Sequence, residues 1–138
     1  MMKSVSAKMG IKQGIRAILI DAPTEAIQAI ELPTLELGTD LHGDFDYIHL
    51  FATNQAKLRE QLPMLKNALK QTGTLWVSWP KGGRRETDLT LPKVIEIGYD
   101  YGLVESKCLS VNSTWSALKF THPKEGKIYN NSCGKLNL

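Results

Sequence analysis

The chain has 138 residues, 42% of them hydrophobic and 22% charged, and its 17 basic and 14 acidic side chains give a net charge of +3. This length suits one ordinary domain, and the composition excludes intrinsic disorder. The small positive excess requires no polyanionic partner, so we do not expect nucleic acid as a partner. The chain has neither an apolar stretch of about 20 residues nor a signal-like N-terminus, so we expect a cytoplasmic protein without membrane contact.

Six segments predict β-strands. Most are rich in apolar, β-branched or aromatic residues, whereas the second is a short edge strand. The last two are joined by only three residues, so they must pair as an antiparallel hairpin. The predicted strands are residues 15–20, 35–37, 47–52, 74–79, 103–111 and 115–120.

Four segments predict helices. The longest begins at a cap at Thr53 and Asn54 and carries leucines at spacings of four, three and four, the stripe of an amphipathic helix. Pro63 predicts a kink or two abutting helices, and Gly73 is expected to end it. The other predicted helices are residues 4–9, ended by Gly10, residues 25–31, capped by Thr24, and a helix capped by Thr90 that runs through Tyr101.

This order of elements predicts a small open α/β fold. A mostly parallel sheet is covered by helices in three layers and ends in a C-terminal antiparallel hairpin. We predict one Rossmann-like domain over residues 1–122 and a polar tail over residues 123–138.

A ligand site is predicted at the carboxyl ends of the parallel strands, where open α/β sheets bind their ligands. For the loop "WPKGGRR" at this edge we favour a solvated, charged loop. The alternative is a site for a small anionic or nucleotide-like ligand, in which Lys81 and Arg84 pair with a phosphate or carboxylate. The candidate ligand-binding residues at this edge are Asp21, Thr53, Trp79, Lys81, Arg84, Asp88 and Trp115.

The strand before this loop holds two tryptophans. Alternation puts Trp76 and Ser78 on one face and Val77 and Trp79 on the other. We expect Trp76 in the core. For Trp79 we favour packing, with stacking on a planar ligand as the alternative.

No catalytic residue and no metal site are predicted. Ser78 has no activating neighbour in the sequence and no G-x-S-x-G turn. His49 is expected to be a hydrogen-bonded core residue, and Cys108 a buried thiol. Histidines and cysteines lack metal-binding spacing.

We also predict no cofactor. The first strand is followed by "DAPTEA", without the glycine-rich turn that dinucleotide and S-adenosylmethionine domains usually place there. S-adenosylmethionine is the cofactor considered, and Asp21 occupies the place of the expected glycine turn.

Several segments carry a family resemblance. "AKMGIKQG", "FDYIHLF", "GTLWVSWPK", "TDLT" and "WSALKF" resemble a bacterial domain-of-unknown-function family of the DUF3052 type over most of residues 5–121, which implies a compact, single-domain bacterial protein. More loosely, "TGTLWVSWPK" and "GLVESK" resemble the C-terminal half of class I methyltransferases. Since the first half lacks the glycine turn, that resemblance implies a methyltransferase-like sheet without a working cofactor pocket.

Three functions follow as hypotheses. The leading one is a non-catalytic ligand-binding or interaction module with an anion-favouring site. The second is a reduced S-adenosylmethionine-dependent methyltransferase that uses Asp21, Thr53, Lys81 and Asp88. The third, a nucleic-acid binder, would use Trp79, Lys81, Arg84 and Arg85. The sequence leaves the ligand, the reaction and the oligomeric state open.

Overall fold

A computed structural model describes residues 3–129 and 135–136. Within these residues, six strands form one sheet in the order β2-β1-β3-β4-β6-β5. The first four in this order are parallel, whereas β6 is antiparallel to both β4 and β5. This is the small, open, mostly parallel α/β sheet that the sequence predicts. The strands are β1 (Arg16–Ile20), β2 (Glu36–Leu37), β3 (Phe45–Phe51), β4 (Leu69–Pro80), β5 (Val104–Ser110) and β6 (Trp115–Thr121).

Four α-helices accompany the sheet in the described part of the chain. They are α1 (Val5–Met9), α2 (Thr24–Ile30), α3 (Gln55–Ala68) and α4 (Leu91–Asp100). The side chains of Ser4, Asn54 and Thr90 each accept a backbone N–H in the first turn of α1, α3 and α4. The prediction of Thr24 as a cap was wrong. Pro23 takes the capping position, and no side chain caps α2.

The end of α3 also differs from the prediction. The helix continues through Pro63 as one element and stops at Ala68, and Gly73 lies inside β4. A Cβ on Gly73 would lie 2.9 Å from the carbonyl oxygen of Phe45. The glycine therefore permits a close backbone approach beside the register shift between β3 and β4, and it does not end a helix.

The core has one part on each face of the sheet. Val77 and Trp79 pack with the leucines of α3 and with α4, whereas Trp76 and Trp115 pack on the opposite face with residues of α1 and α2. The alternation predicted for β4 is confirmed. Helices on both faces make the three layers.

A buried polar network crosses from β3 to β4. The hydroxyl of Tyr47 lies 2.6 Å from His49 Nδ1, and His49 Nε2 lies 2.7 Å from Ser78 Oγ. All three side chains are fully buried, so the prediction of a hydrogen-bonded core histidine is confirmed. Burial lowers the pKa of His49 to about 3, and the ring is therefore neutral near pH 7.

Ser78 does have a basic neighbour, contrary to the sequence prediction. The parallel register places Phe51 opposite Ser78 and brings in His49 from 29 positions away. Because the pair is sealed inside the core, it cannot reach a substrate in this conformation.

The C-terminal part of the chain differs from the sequence prediction at one residue. Cys108 is exposed, so its predicted burial was wrong; β5 is an edge strand with mostly exposed side chains. Tyr129 and Leu136 pack against the core on the α3 and α4 face, and the division at residue 122 stays a prediction. Among the described residues, no helix has the length and apolarity to cross a bilayer.

Gly98 should tolerate no side chain. Glycine to alanine in a helix ordinarily stabilises by about 0.5–1 kcal/mol. Here the new Cβ would lie 2.1 Å from Cε1 of Phe120. We expect Gly98→Ala to lower the free energy of unfolding by about 1–3 kcal/mol in urea titrations. Lys93→Ala, in the same helix, is the control and should change it by less than about 0.5 kcal/mol. A stabilised Gly98→Ala protein would contradict this packing.

Acid stability should depend on His49. Its pKa is about 3 in the folded protein against 6.5 as the reference value, so the unfolded state binds the extra proton and stability falls as the pH drops from 6.5 towards 3. Between pH 6.5 and 4.5 this residue should remove about 2 kcal/mol from the free energy of unfolding. His49→Gln does not titrate. Urea unfolding at both pH values should therefore show that its free energy of unfolding falls by about 2 kcal/mol less than that of the wild-type protein. Equal losses in the two proteins would contradict the buried neutral ring.

Candidate functional site

A crevice lies at the carboxyl ends of β1 and β3. Its cavity of about 350 Å³ is lined by Asp21, Pro23, Phe51, Ala52, Thr53, Asn54, Lys57, Arg85 and Trp115. A larger cavity, of about 470 Å³, lies beside residues 71–73 and 121–125. That cavity adjoins the amino-terminal half of β4, whereas the crevice lies where the turns from strand to helix gather. The crevice is therefore the candidate site.

Asp21 forms the turn that follows β1. It has a φ of +57°, in the left-handed region that glycine usually occupies, and aspartate is one of the few other residues that adopt it readily. The turn therefore reaches a glycine-like conformation without a glycine. Within the described residues, the exposed Asp21 carboxylate has no hydrogen-bonding or ionic partner.

The amino end of α3 forms a second wall. Asn54 Oδ1 accepts the N–H of Lys57 at 2.8 Å. Asp88 Oδ1 accepts the N–H of Gln55 at 2.8 Å, and Gln55 Nε2 donates to the carbonyl of Asp88 at 2.9 Å. Asp88 thus holds the start of α3 in place. The Lys57 ammonium, which lines the cavity, has no partner among the residues that the structure describes.

The third wall is aromatic. Phe51 and Trp115 meet edge to face, with ring centroids 5.3 Å apart. Phe51 also stacks on His49, with centroids 4.3 Å apart and ring planes inclined by 17°. The buried network of β3 and β4 therefore supports this wall from below and fixes its orientation.

Arg85 covers the aromatic wall. Its guanidinium carbon lies 5.3 Å from the centroid of the Trp115 ring. Arg85 Nη2 donates to Glu25 Oε1 at 3.2 Å, and the same oxygen accepts Trp115 Nε1 at 3.4 Å. We call these three residues the Arg85 cluster. It joins α2, the hairpin and the loop after β4.

That loop, Lys81–Glu86, is anchored to the hairpin, and we call it the basic loop. Lys81 Nζ donates to Ser110 Oγ, and Arg84 Nη1 donates to the carbonyl of Ser113 at 2.8 Å. These two cations therefore hold the loop, and it is the next residue, Arg85, that lines the cavity.

The structure brings together part of the predicted site. Asp21, Thr53 and Trp115 line the crevice. The other four candidates do not: Trp79 is buried on the opposite face, and Lys81, Arg84 and Asp88 have the structural contacts described above. Ligand binding by these seven residues stays a prediction.

Sequence reasoning missed several lining residues. Lys57 carried a signal, because it belongs to the first turn of a helix that follows a parallel strand. Phe51 carried none beyond its place at the end of β3. The pairing of Arg85 with Glu25, 60 positions apart, is invisible in the sequence.

Several solved structures share this fold. The precorrin-6y C5,15-methyltransferase of Geobacter metallireducens has a TM-score of 0.58 and 12% identity, covering 86% of this chain and 85% of its own. The ribosomal protein L11 methylase of Lactobacillus delbrueckii subsp. bulgaricus has a TM-score of 0.56 and 14% identity, covering 87% and 76%. The magnesium protoporphyrin IX methyltransferase of Synechocystis, solved with bound SAM, has a TM-score of 0.53 and 11% identity, covering 86% and 74%.

These likenesses establish the Rossmann-like methyltransferase fold, and at such low identities they establish the fold alone. No protein-family model and no curated protein matches the sequence. The resemblance to the bacterial family of unknown function therefore stays a prediction, whereas the looser resemblance to methyltransferases is confirmed for the fold.

The prediction of no cofactor must be corrected. It is overturned by the structural neighbours, which are methyltransferases. One of them was solved with S-adenosylmethionine (SAM) and also with S-adenosylhomocysteine (SAH). The prediction relied on the missing glycine turn. Because Asp21 itself takes the left-handed conformation, the absence of glycine excludes less than we expected. The chain has the fold of S-adenosylmethionine-dependent methyltransferases.

Proposed function

We propose that the chain is a small S-adenosylmethionine-dependent methyltransferase and that it binds this cofactor in the crevice. The observation that carries the proposal is the crevice itself. In a methyltransferase fold, it combines an aromatic wall with two groups of opposite charge, Asp21 and Lys57, which have no partner within the described part of the chain, at the carboxyl ends of β1 and β3.

The lining residues suit the chemical groups of this cofactor. The Lys57 ammonium would pair with its carboxylate, and Asp21 would accept hydrogen bonds from its ammonium or its ribose hydroxyls. Phe51 and Trp115, which are 3% and 2% exposed, would form the apolar floor of the pocket beneath the cofactor. The amino end of α3 adds a favourable field for a negative group.

When bound, the cofactor supplies a methyl group made electrophilic by its sulfonium sulfur. The chain's own contribution is positioning, because the aromatic wall is fixed from below by His49 and the wall of α3 by Asp88.

A second candidate function is a binding module of the same fold without catalysis. One observation favours it: among the described residues that line the crevice, the one carboxylate is that of Asp21, which the cofactor would occupy, so that none there is left to accept a proton from a substrate. The two candidates share the ligand and differ in methyl transfer.

Cofactor binding should depend on Lys57. We expect calorimetry to show binding of SAM and SAH to the wild-type protein at micromolar to millimolar concentrations. Lys57→Gln should weaken the binding of SAH about threefold to tenfold, because one charge-assisted contact is lost. Lys124→Gln removes the same charge from the other cavity and should leave the affinity unchanged. No binding at millimolar ligand, or equal loss in both variants, would contradict the proposed site.

Methyl transfer separates the two candidate functions. Incubation with methyl-labelled SAM and a cell extract should move label into an extract component with wild-type protein. With Asp21→Asn and SAM well below saturation, the transfer should be about threefold to tenfold slower, because a charge-assisted contact to the cofactor is lost. Binding of SAM without any transfer of label would favour the non-catalytic module.

A further inference from the structure

The contacts of Arg85 define an environment that attracts cations. Its guanidinium lies over the indole of Trp115, 5.3 Å from the ring centroid, and bonds to the Glu25 carboxylate at 3.2 Å. An aromatic face beside a carboxylate is a favourable place for any positively charged group. In this structure, the chain's own cation takes that place.

The basic loop holds Arg85 there. Lys81 and Arg84 bind the hairpin on one side, and Arg85 and the next residue, Glu86, both have left-handed φ values of +56° and +57°. Such values are uncommon for residues other than glycine. The anchored loop therefore orients the Arg85 side chain towards the Trp115 wall.

The charge of the lining adds to this effect. Among the described residues that line the cavity, Lys57 and Arg85 are positive and Asp21 is negative. A positive ligand group near Trp115 would be repelled by Arg85 or would have to displace it from Glu25. A neutral group at the same place would not be repelled by Arg85 and would not have to displace it from Glu25.

We propose, on the basis of the function proposed above, that Arg85 sets the charge selectivity of the crevice. It lowers the affinity for a ligand that carries a sulfonium, such as SAM, relative to a ligand with a neutral thioether, such as SAH. If the basic loop withdraws Arg85, the indole face and Glu25 become a site that favours the sulfonium. Arg85 thus acts as a built-in competitor of the charged cofactor.

The ratio of two affinities tests this inference. Calorimetry would give the affinities of SAM and SAH for the wild-type protein, Arg85→Gln, Arg85→Lys and the control Arg59→Gln. Like Arg85→Gln, the control removes one positive charge and one ion pair, in this case the pair of Arg59 with Asp100. Arg59 does not line the crevice. Circular dichroism would establish that all four proteins are folded.

We expect Arg85→Gln to raise the affinity for SAM relative to SAH by about threefold to tenfold. Arg85→Lys, which keeps the charge, and Arg59→Gln should leave this ratio within about twofold of the wild-type value. The gain in Arg85→Gln should shrink at high salt.

Two kinds of result would overturn the inference. If both ligands bind and the ratio is the same in Arg85→Gln and wild type, or rises equally in Arg85→Lys, Arg85 does not select by charge and the proposed function stands. If neither ligand binds the folded wild-type protein or Arg85→Gln at millimolar concentration, the proposed function fails as well.

Discussion

The parallel pairing of residues 47–51 of β3 with residues 74–78 of β4 is the constraint on which the rest of the structure depends. It sets His49 beside Ser78 and closes with a bond from the N–H of Ala52 to the carbonyl of Ser78. A slip of one residue would turn His49 and Phe51 to the opposite face. The same register ends β3 directly below the crevice and places Phe51 in its wall.

Much of the fold could be predicted because it follows from local patterns. Strand periodicity, helix caps and the short link before Trp115 each reflect interactions between neighbours in the sequence, and the mostly parallel sheet with its antiparallel hairpin follows from them. The end of α3 could not be predicted in the same way. Gly73 resembles a helix stop in the sequence, and only the approach of the β3 backbone explains why glycine is needed inside β4.

The candidate site was less predictable, because its contacts join distant parts of the chain. The basic loop follows the carboxyl end of β4, as predicted. Lys81 and Arg84 were predicted to contact a ligand, whereas in the structure they bond to the hairpin. Asp21 shows the opposite error. Its residue type indicated that no cofactor turn was present, whereas its backbone conformation is the one that such turns require.

The crevice combines a rigid wall with an adjustable one. Phe51 and Trp115 are buried and supported by His49, whereas Arg85 is half-exposed and held by an ion pair and an indole face. Contacts of that exposed kind contribute about 1 kcal/mol or less, which is the scale of the threefold to tenfold effect expected of Arg85. The buried aromatic wall would therefore fix the position of a ligand in the crevice, and Arg85 of the basic loop would change its affinity.

The central claim is that an adenosyl ligand binds between β1, β3 and the hairpin. Its most direct test is a titration of the ¹⁵N-labelled protein with SAH, followed by the backbone amide resonances. We expect the largest shifts at the amides of Asp21, Thr53, Lys57, Arg85 and Trp115. Shifts confined to residues 71–73 and 121–125, or none at saturating ligand, would contradict it.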